Sequence, residues 1–446
     1  MSKVLKPSMF NHHISTDSGM MLFNSLSGAH KILYVSPDHE QIVLDILAQH
    51  TVVFDEHNDI MVKLFNFGYL VSIDVDEKAI RQKIHNEITM DSTLNLVIHT
   101  TTACNFRCKY CYMDFGVGAM SREVQEQIVQ FIRHNLCNAT SLHIVWFGGE
   151  PLLGLDAITY ISEKAIDLCR AAKKMYTASI TTNGSLLTPE VLNTLRKCRV
   201  NSYTITLDGL QDIHDQYRML ANGAPTFQTI VNNLIYIRDH LKYKTIRVTI
   251  RNNITRKFAP RIHEYIDYYT SLFGDDKRFK FLIRIVDDWG GESVASIKDD
   301  IITYSYLGEV FCKIAKYDAK LDFSPCFSSL DKGGVSCDAM NRNKYTISAS
   351  GVISKCDEAA CNSNSLGIGN IMDANCVVDD AVHAKWLYSH LQHTKNCDDC
   401  FYSIPCLMNG CPKYTLSTGK HACSLNLEEI SGMIQLAGSQ YHAEIL

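Results

Sequence analysis

The feature that most constrains the fold is an alternation of strand-like and helix-like segments between residues 94 and about 316. The strand-like segments are Leu94–Thr100, Leu142–Phe147, Thr177–Thr182, Ser202–Leu207, Lys244–Ile250 and Phe279–Val286. Helical patterns lie near Ser121–Asn135, Leu155–Lys174, Thr188–Arg196, Thr226–Leu241, Pro260–Leu272 and Ile301–Tyr317. Strands that alternate with helices indicate a parallel sheet. Six such units are fewer than the eight of a closed barrel, so we expect an α/β fold with an open, partial (β/α)6 TIM barrel.

Three cysteines on one loop follow the first of these strands. Cys104, Cys108 and Cys111 have the spacing C-x3-C-x2-C, which suits three irons of a cubane 4Fe–4S cluster. Such a cluster usually has four thiolate ligands. Because no fourth cysteine lies nearby in the sequence, one iron would be open to a ligand that the protein does not supply. A zinc site or a disulfide loop is the alternative interpretation.

Polar, glycine-containing turns end the next three strands, at residues 148–151, 181–184 and 206–209. Functional residues of such barrels lie at the C-terminal ends of the strands, so we expect these turns to converge beside the cysteine loop. Glycine lets the backbone approach a ligand closely. Glu150 can hold an ammonium group, and Arg218 can bind a carboxylate through two hydrogen bonds. The pattern predicts an amino acid-like ligand beside the open iron.

Composition and charge exclude several other classes of protein. A formal net charge of −5 over 446 residues offers no basic face for nucleic acid. No apolar run approaches the roughly 20 residues that span a bilayer. Asn11, His12 and His13 stand where a signal peptide needs its apolar core. We therefore expect a cytoplasmic protein with no membrane and no nucleic-acid partner.

The chain contains 17 cysteines. An odd number of cysteines in a reducing compartment argues against a disulfide framework and favours metal or cluster ligation. Three of them form the loop at residues 104–111, and most of the others lie between Cys326 and Cys423. Metal or cluster ligation is therefore predicted both at the loop of residues 104–111 and in the region between Cys326 and Cys423.

The three loop cysteines, with Tyr110 ahead of the last one, resemble the cluster motif of radical S-adenosylmethionine (SAM) enzymes, as do the Gly-Gly-Glu and Thr-Asn-Gly turns. The resemblance implies that the amino and carboxylate groups of SAM chelate the open iron. It implies that the reduced cluster cleaves SAM to methionine and a 5′-deoxyadenosyl radical, which abstracts a hydrogen atom from the substrate. An external one-electron reductant such as flavodoxin or ferredoxin is implied as well. The cofactors supply the chemistry, and the barrel supplies orientation and the exclusion of water.

The same resemblance assigns residues to the SAM site. Gly148, Gly149 and Glu150 are expected to recognise the amino group of SAM. Contacts to its ribose or carboxylate are expected from Asn183, Thr206 and Arg218, with Tyr110 in the same cofactor-binding set. No catalytic acid or base is identified.

Residues 319–425 resemble the SPASM domain, which carries two auxiliary clusters, so that three 4Fe–4S clusters are expected in all. By this resemblance one auxiliary cluster takes Cys337, Cys356 and Cys411, with Cys326 as its fourth ligand, Cys361 as second choice, or an open iron. The other takes the set Cys397, Cys400, Cys406 and Cys423. A zinc ribbon is the alternative, because C-x2-C pairs serve zinc well.

Two local features of this region carry their own expectations. The family has three residues between the cysteines that Cys406 and Cys411 match, whereas this chain has four, which predicts a small bulge in the turn. Gly351 is expected at the turn of a β-hairpin that places Cys356.

The flanking segments complete the predicted domains. Residues 1–90 contain strand patterns at 20–23, 31–35 and 69–73, and helical patterns after Pro37, at Asp59–Phe67 and at Asp76–Ile88. This is typical of a winged-helix-like unit, whose exposed strand edge can capture an extended peptide by β-augmentation. The barrel is assigned to residues 91–318, and residues 426–446 are expected to form a helix that packs over the clusters.

The combination resembles ribosomal-peptide maturases, in which the first unit binds the leader of a precursor peptide. We expect such an enzyme, forming a thioether or carbon–carbon cross-link within the peptide. An anaerobic sulfatase maturase that makes formylglycine is an alternative, although that class begins close to its cluster loop. A radical epimerase would need a hydrogen-donating thiol, for which Cys312, Cys361 and Cys376 are available. The non-enzymatic alternative is a zinc-binding interaction protein.

Overall fold

The computed structural model describes residues 3–113, 115–116, 118–287, 292–317, 320–362, 366–373, 378–389 and 395–446. They form an N-terminal module, a β/α sheet and a cysteine-rich C-terminal region. Cys376 lies outside the described residues, and so does the side chain of Cys361. In the part of the chain described, no helix has both the length and the apolarity to cross a membrane.

The N-terminal module combines short strands with three helices. The strands are β1 (Val4–Pro7), β2 (Asn11–Thr16), β3 (Gly19–Asn24), β4 (Leu33–Val35), β5 (Val52–Val53) and β6 (Leu70–Ser72). The helices are α1 (Pro37–Leu47), α2 (Asp59–Asn66) and α3 (Glu77–Thr89). Asn58 and Asp76 cap α2 and α3 by accepting a backbone hydrogen bond in the first turn. All three helices are predicted from the sequence, whereas β1, β2 and β5 are not.

The central part of the chain is a β/α array. Its strands are β7 (Thr93–His99), β8 (Phe106–Cys108), β9 (Ser141–Phe147), β10 (Met175–Thr182), β11 (Val200–Thr206), β12 (Arg218–Leu220), β13 (Arg247–Ile254) and β14 (Phe279–Ile285). Its helices are α4 (Arg122–Leu136), α5 (Leu155–Ala171), α6 (Pro189–Lys197), α7 (Gln211–Tyr217), α8 (Phe227–His240), α9 (Ile262–Phe273) and α10 (Tyr304–Ala315). Thr188 caps α6 ahead of Pro189, as the sequence predicts.

The six long strands of this array are parallel and lie in sequence order, β7-β9-β10-β11-β13-β14. This confirms the six predicted units. Their alternating burial, clearest in β9 and β14, places one row of side chains against the helices and leaves the other row partly exposed. Parallel strands bring their carboxyl ends to one edge of the sheet, where the cysteine loop begins.

The C-terminal region extends the same sheet. Its elements are α11 (Ser324–Phe327), β15 (Lys344–Ile347), β16 (Val352–Ser354), α12 (Asp357–Asn362), β17 (Gly369–Asn370), α13 (Asp380–Leu387), α14 (Ser403–Cys406), α15 (Pro412–Thr418), α16 (Leu427–Gln440) and β18 (Glu444–Ile445). Strand β15 pairs with β7 in parallel, and β16 and β17 follow in antiparallel, so the sheet is mixed and has nine strands. The β15–β16 hairpin turns at Gly351, whose φ of +90° favours glycine, as predicted.

The C-terminal tail is helical, as predicted, but it contacts more than the cysteine region. The backbones of α16 and α10 approach closely because Gly308 and Gly432 face each other. Beyond this helix, β18 pairs in parallel with the edge strand β4 of the N-terminal module. The tail therefore ties the barrel to the N-terminal module, and the first half of its helix lies beside the cysteines, where Glu429 and Met433 share a cavity with Cys423.

The N-terminal module packs directly on the cysteine-rich region. Phe10 and Ile84 form a small hydrophobic core with Ile404 and Leu407. Arg81 of α3 is buried, and its guanidinium donates hydrogen bonds to the backbone oxygens of residues 397 and 398, at 3.3 and 2.9 Å. The two parts of the chain thus share one buried interface.

Candidate active site

The cysteine loop is held in place by a short antiparallel ribbon. Strand β8 within the loop pairs with β12, and this register puts Arg218 opposite Cys108. All three thiols, of Cys104, Cys108 and Cys111, line one cavity of about 210 Å³. Burial raises the pKa of each thiol, and that of Cys108 to about 12. A metal or an iron–sulfur cluster is therefore the natural means of keeping these groups as thiolates.

The predicted turns do converge on this cavity. Besides the three cysteines, its lining includes Tyr110, Gly148, Gly149, Asn183, Thr206 and Arg218. These are the residues that the sequence assigns to SAM, apart from Glu150. The carboxyl ends of β9, β10 and β11 thus meet beside the cysteine loop.

The two glycines after β9 have a structural reason for being glycine. A Cβ on Gly148 would meet the carbonyl oxygen of Thr101, and a Cβ on Gly149 would meet that of Ala103. Both turn residues therefore pack against the backbone that leads into the cysteine loop. Any side chain at either position would displace the loop from the end of the strand.

Glu150 is fully buried and does not line the cavity. Its carboxylate accepts hydrogen bonds from Thr182 Oγ1 at 2.7 Å, from the backbone N–H of Asn183 at 2.8 Å and from that of Leu152 at 3.1 Å. Burial raises the pKa of Glu150, and these three donors oppose the rise. In this structure the side chain of Glu150 joins the end of β9 to the end of β10. It does not face the ligand space, whereas the sequence predicts a contact with the amino group of SAM.

Asn183 is positioned by its neighbours. Its Nδ2 donates to Asn105 Oδ1 at 2.8 Å, and its Oδ1 accepts from Ser185. Asn105 belongs to the cysteine loop, so this pair fixes the loop against the end of β10. Thr206, at the end of β11, is 8% exposed and faces the same cavity.

A buried polar network forms one wall of the cavity. The hydroxyl of Tyr110 donates to Asp208 and accepts from Arg218 Nη1 at 2.9 Å. Asn253 donates its backbone N–H to Asp208 Oδ1 at 2.8 Å and its Nδ2 to the Tyr110 hydroxyl at 3.1 Å. Burial raises the pKa of Asp208, against the pull of Arg218. The network fixes Arg218 at the edge of the cavity.

The donor set fits the predicted cofactor. Arg218 Nε is buried and has no hydrogen-bond partner among the described residues, which is the state expected of a group that awaits an anionic ligand. Across the described residues, no three His, Cys, Asp or Glu side chains converge on a single metal ion. A cubane cluster does not need such convergence, because each thiolate binds its own iron.

Three residues that line the cavity are not found by sequence reasoning. Arg251 and Asn253 end β13, and Asp287 follows β14. The rule that functional residues follow parallel strands points to these positions as well. Neither strand ends in a glycine-containing motif. The rule alone therefore does not distinguish these three residues from the other residues near strand ends.

The second predicted set of auxiliary cysteines is brought together. Burial raises the pKa of Cys400 and of Cys406, and the nearby sulfurs of Cys397 and Cys423 raise both further. His421, which the sequence does not single out, has Nε2 at 3.8 Å from Cys397 Sγ. The four cysteines that the resemblance groups together therefore share one site.

The turn between Cys406 and Cys411 has one residue more than the family pattern, and two of its residues have a left-handed backbone conformation. Leu407 and Met408 have φ values of +52° and +57°, which non-glycine residues seldom adopt. A Cβ on Gly410 would meet the carbonyl oxygen of Ala422, beside Cys423. The turn packs tightly beside the last cysteine of the group, and the bulge stays a prediction.

The first predicted auxiliary set is only partly assembled. Cys337 and Cys356 lie close together, since each thiol is buried and Cys356 contributes to the raised pKa of Cys337. Cys411 lines a different cavity together with Cys423. The structure thus supports a pair at this site and leaves its remaining ligands as a prediction.

Cys326 lies in the hydrophobic core of the barrel. Its sulfur is fully buried between α11 and β14, where it accepts from the N–H of Ile283 at 3.2 Å and donates to the carbonyl of Phe281 at 3.4 Å. The expectation that Cys326 completes the first auxiliary set stays a prediction.

Comparison with known sequences identifies the domain. Residues 98–258 match the Radical SAM superfamily. The chain is 22% identical over 433 residues to the radical SAM cyclopropyl synthase TigE of Paramaledivibacter caminithermalis, covering 86% of this chain and 84% of that protein. It is 24% identical over 355 residues to a cysteine-type anaerobic sulfatase-maturating enzyme of Clostridium novyi, covering 72% and 88%.

Two solved structures share the fold. Native anSMEcpe with bound AdoMet and the Kp18Cys peptide superposes with a TM-score of 0.61 at 18% identity, covering 78% of this chain and 98% of that one. Streptococcus suis SuiB bound to its precursor peptide SuiA superposes with a TM-score of 0.50 at 16% identity, covering 91% and 95%.

Proposed function

Since the chain is a radical SAM enzyme, we propose that it is a peptide maturase that forms an intramolecular cross-link in a ribosomally made precursor peptide. The observation that carries the proposal is a second cavity of about 680 Å³ beside the cysteine cavity. The two share Arg251, Ile285 and Asp287, and the second reaches Cys411 and Cys423. Its size lies within the usual range for ligand sites, and its position joins the radical site to the auxiliary cysteines.

The cofactors of this proposal are SAM, one cluster held by Cys104, Cys108 and Cys111, and two auxiliary clusters. When bound, they supply the hydrogen-abstracting radical and an acceptor for electrons. In this proposal Arg218 binds the carboxylate of SAM. The backbone of Gly148 and Gly149 lies against the amino group of SAM. The proposed partners are the precursor peptide and a flavodoxin- or ferredoxin-like reductant.

Cross-link formation requires the removal of two hydrogens from the peptide. The first leaves as a hydrogen atom, and the bond closes only when a further proton and electron leave. We propose that the peptide lies in the second cavity, which reaches Cys423, and that the cluster held by Cys397, Cys400, Cys406 and Cys423 is the electron acceptor. This arrangement favours an oxidative reaction over epimerisation, which returns a hydrogen atom and consumes no acceptor.

The sulfatase maturases and the other relatives differ in the share of this chain that their alignments cover. The alignment with anSMEcpe spans nearly all of that chain but only 78% of this one, whereas those with TigE and SuiB span 86% and 91%. The larger share of this chain that TigE and SuiB cover supports the peptide-maturase class. We propose that residues 1–90 bind the leader of the precursor. Strand β18 covers the edge of β4, so the edge strands among the described residues of the module itself are β2, β5 and β6.

The function is tested with the precursor peptide encoded beside the gene, SAM and a reductant. The wild-type protein should form 5′-deoxyadenosine, and the peptide should lose two hydrogens. The triple variant Cys104→Ala/Cys108→Ala/Cys111→Ala should do neither, whereas Cys137→Ala, at an exposed position, should do both. Continued 5′-deoxyadenosine formation by the triple variant would refute the cluster assignment.

The fate of the peptide separates the alternatives. A hydrazide-reactive aldehyde would indicate formylglycine, and uptake of one deuterium from heavy water without another mass change would indicate epimerisation. Zinc without sulfide in the purified protein would contradict the enzymatic proposal, because three cubane clusters predict about 12 Fe per chain. Leader binding is tested by hydrogen exchange, where new protection in β2, β5 or β6 is expected.

A further inference from the structure

The second cavity carries an unbalanced set of charges at its boundary with the cysteine cavity. Arg251 lies near the end of β13 and Arg284 near the end of β14, and both line the second cavity. The register pairs Asn253 with Arg284, and Arg251 Nε donates to Asn253 Oδ1 at 2.9 Å. The two guanidinium groups therefore occupy neighbouring strands on one wall of the cavity.

Arg284 has no hydrogen bond and no ion pair with any residue that the structure describes. Arg251 uses only Nε, which leaves its two terminal nitrogens to face the cavity. Like charges on adjacent strands repel each other, and Arg284 lowers the pKa of Arg251, after the larger effect of burial. Among the described residues, the two adjacent guanidinium groups thus have no carboxylate in contact.

Two acidic side chains of the same cavity act on these arginines without contacting them. Arg251 and Arg284 lower the pKa of Asp287, and Arg284 lowers that of Glu429, in each case against the larger effect of burial. The Tyr304 hydroxyl lies 3.1 and 3.0 Å from the two carboxylate oxygens of Asp287, so this acid already has a partner. Glu429 stands in the first turn of α16, and burial raises its pKa to about 7. Within the described residues, neither acid lies within ion-pair distance of Arg251 or Arg284. The wall formed by Arg251 and Arg284, called the arginine wall below, can therefore bind an anion.

We propose that Arg284, with Arg251 beside it, binds a carboxylate of the substrate peptide next to the residue that is modified. This inference rests on the proposed function and names the substrate class of that site. Arginine binds carboxylates through two parallel hydrogen bonds, and this would hold the peptide at the point where the two cavities meet. The carboxylate comes from an Asp or Glu side chain or from the C-terminus of the peptide.

The test uses the holoenzyme with SAM and three pools of fluorescent nonapeptides, whose flanks are randomised over all residues except Asp and Glu. One pool has a central Glu and a C-terminal amide, the second a central Gln and an amide, and the third a central Gln and a free C-terminus. Fluorescence anisotropy measures the affinity of each. A carboxylate-containing pool should bind about tenfold more tightly than the Gln amide pool, which equals about 1.4 kcal/mol.

Variants connect the preference to the arginine wall. Arg284→Gln should reduce the preference to about twofold or less. Arg284→Lys should keep part of it, because lysine retains the charge but not the planar fork. Arg170→Gln removes the same charge from an exposed position on α5 and should leave the tenfold preference unchanged.

The outcomes separate the two proposals. Tighter binding of the Glu amide pool assigns the side chain as the carboxylate source, and tighter binding of the free-acid pool assigns the C-terminus. Equal binding of all three pools, or a preference that survives Arg284→Gln, overturns the carboxylate site. Equal binding with continued peptide modification would leave the proposed function standing. Failure of every pool to bind, with no modification of the precursor, would contradict both.

Discussion

Arg81 offers the sharpest test of how the N-terminal module is attached. Its side chain is 7% exposed, and its Nη1 donates to the carbonyl of Asp398 at 2.9 Å and more weakly to that of Cys397. Hydrogen bonds from a charged group contribute about 1.5–3 kcal/mol. The Asp398 carboxylate is half exposed and 3.7 Å away, so that ion pair adds at most about 1 kcal/mol. Replacing Arg81 by Met should therefore cost about 2–3 kcal/mol at this interface.

Hydrogen exchange measures this cost locally. The amides of Ser403 and Cys406 donate to Cys400 and Tyr402 in the turn that Arg81 supports, and their opening free energy should fall by about 2–3 kcal/mol in Arg81→Met. The matched control is Lys78→Met on the same helix. Lys78 pairs with Asp399, but both side chains are largely exposed, so the change should be below about 0.5 kcal/mol. Equal effects of the two substitutions would refute the reasoning.

Three further results are expected. Tyr110→Phe should weaken SAM binding about tenfold without lowering iron content, because it removes the hydroxyl that joins Asp208 to Arg218 and leaves the thiols in place; iron loss would contradict this. Cys326→Ala should destabilise the protein by about 1–2 kcal/mol through a core cavity, and a loss of iron as well would support Cys326 as a ligand, whereas Cys406→Ala should lose iron. Folding stability should fall as pH rises from about 4.5 to 7, because burial raises the pKa of Glu429 in the native state; Glu429→Gln should lose less stability between pH 5 and 8 in thermal unfolding, and an identical loss would argue against a buried acid.

The six parallel strands were predictable because each is a run of β-prone residues between amphipathic helices. The same cannot be said of the pairing of β15 with β7, which joins segments about 250 residues apart in the sequence. Local pattern carries no information on such pairing. Strands β1 and β5 are short, and β2 contains the polar pair His12 and His13, so neither length nor alternation marks them.

The residues of the candidate site also differ in whether the sequence alone predicts them. Cysteines and glycine turns were predictable because few other residues have the same chemistry or backbone freedom, and the structure brings Cys104, Cys108 and Cys111 to one cavity with Gly148 and Gly149. Arg251, Arg284 and Asp287 were missed, since single charged residues at strand ends are common and become significant only when two strands are side by side. Glu150 shows the opposite case. It matches a motif, yet burial and backbone hydrogen bonds give it a structural role.

The left-handed turn at Leu407 and Met408 limits how this enzyme can be rebuilt. It inserts Leu407 between Phe10 and Ile84 of the N-terminal module, so the turn that carries Cys406 is also part of that module's core. Removing residues 1–90 would uncover Ile404 and Leu407 and disturb the neighbouring cysteines, and a loss of activity in such a truncation would say little about leader recognition. A chimera that exchanges the module for that of a relative must therefore exchange residues 397–411 with it, as a single transplantable unit.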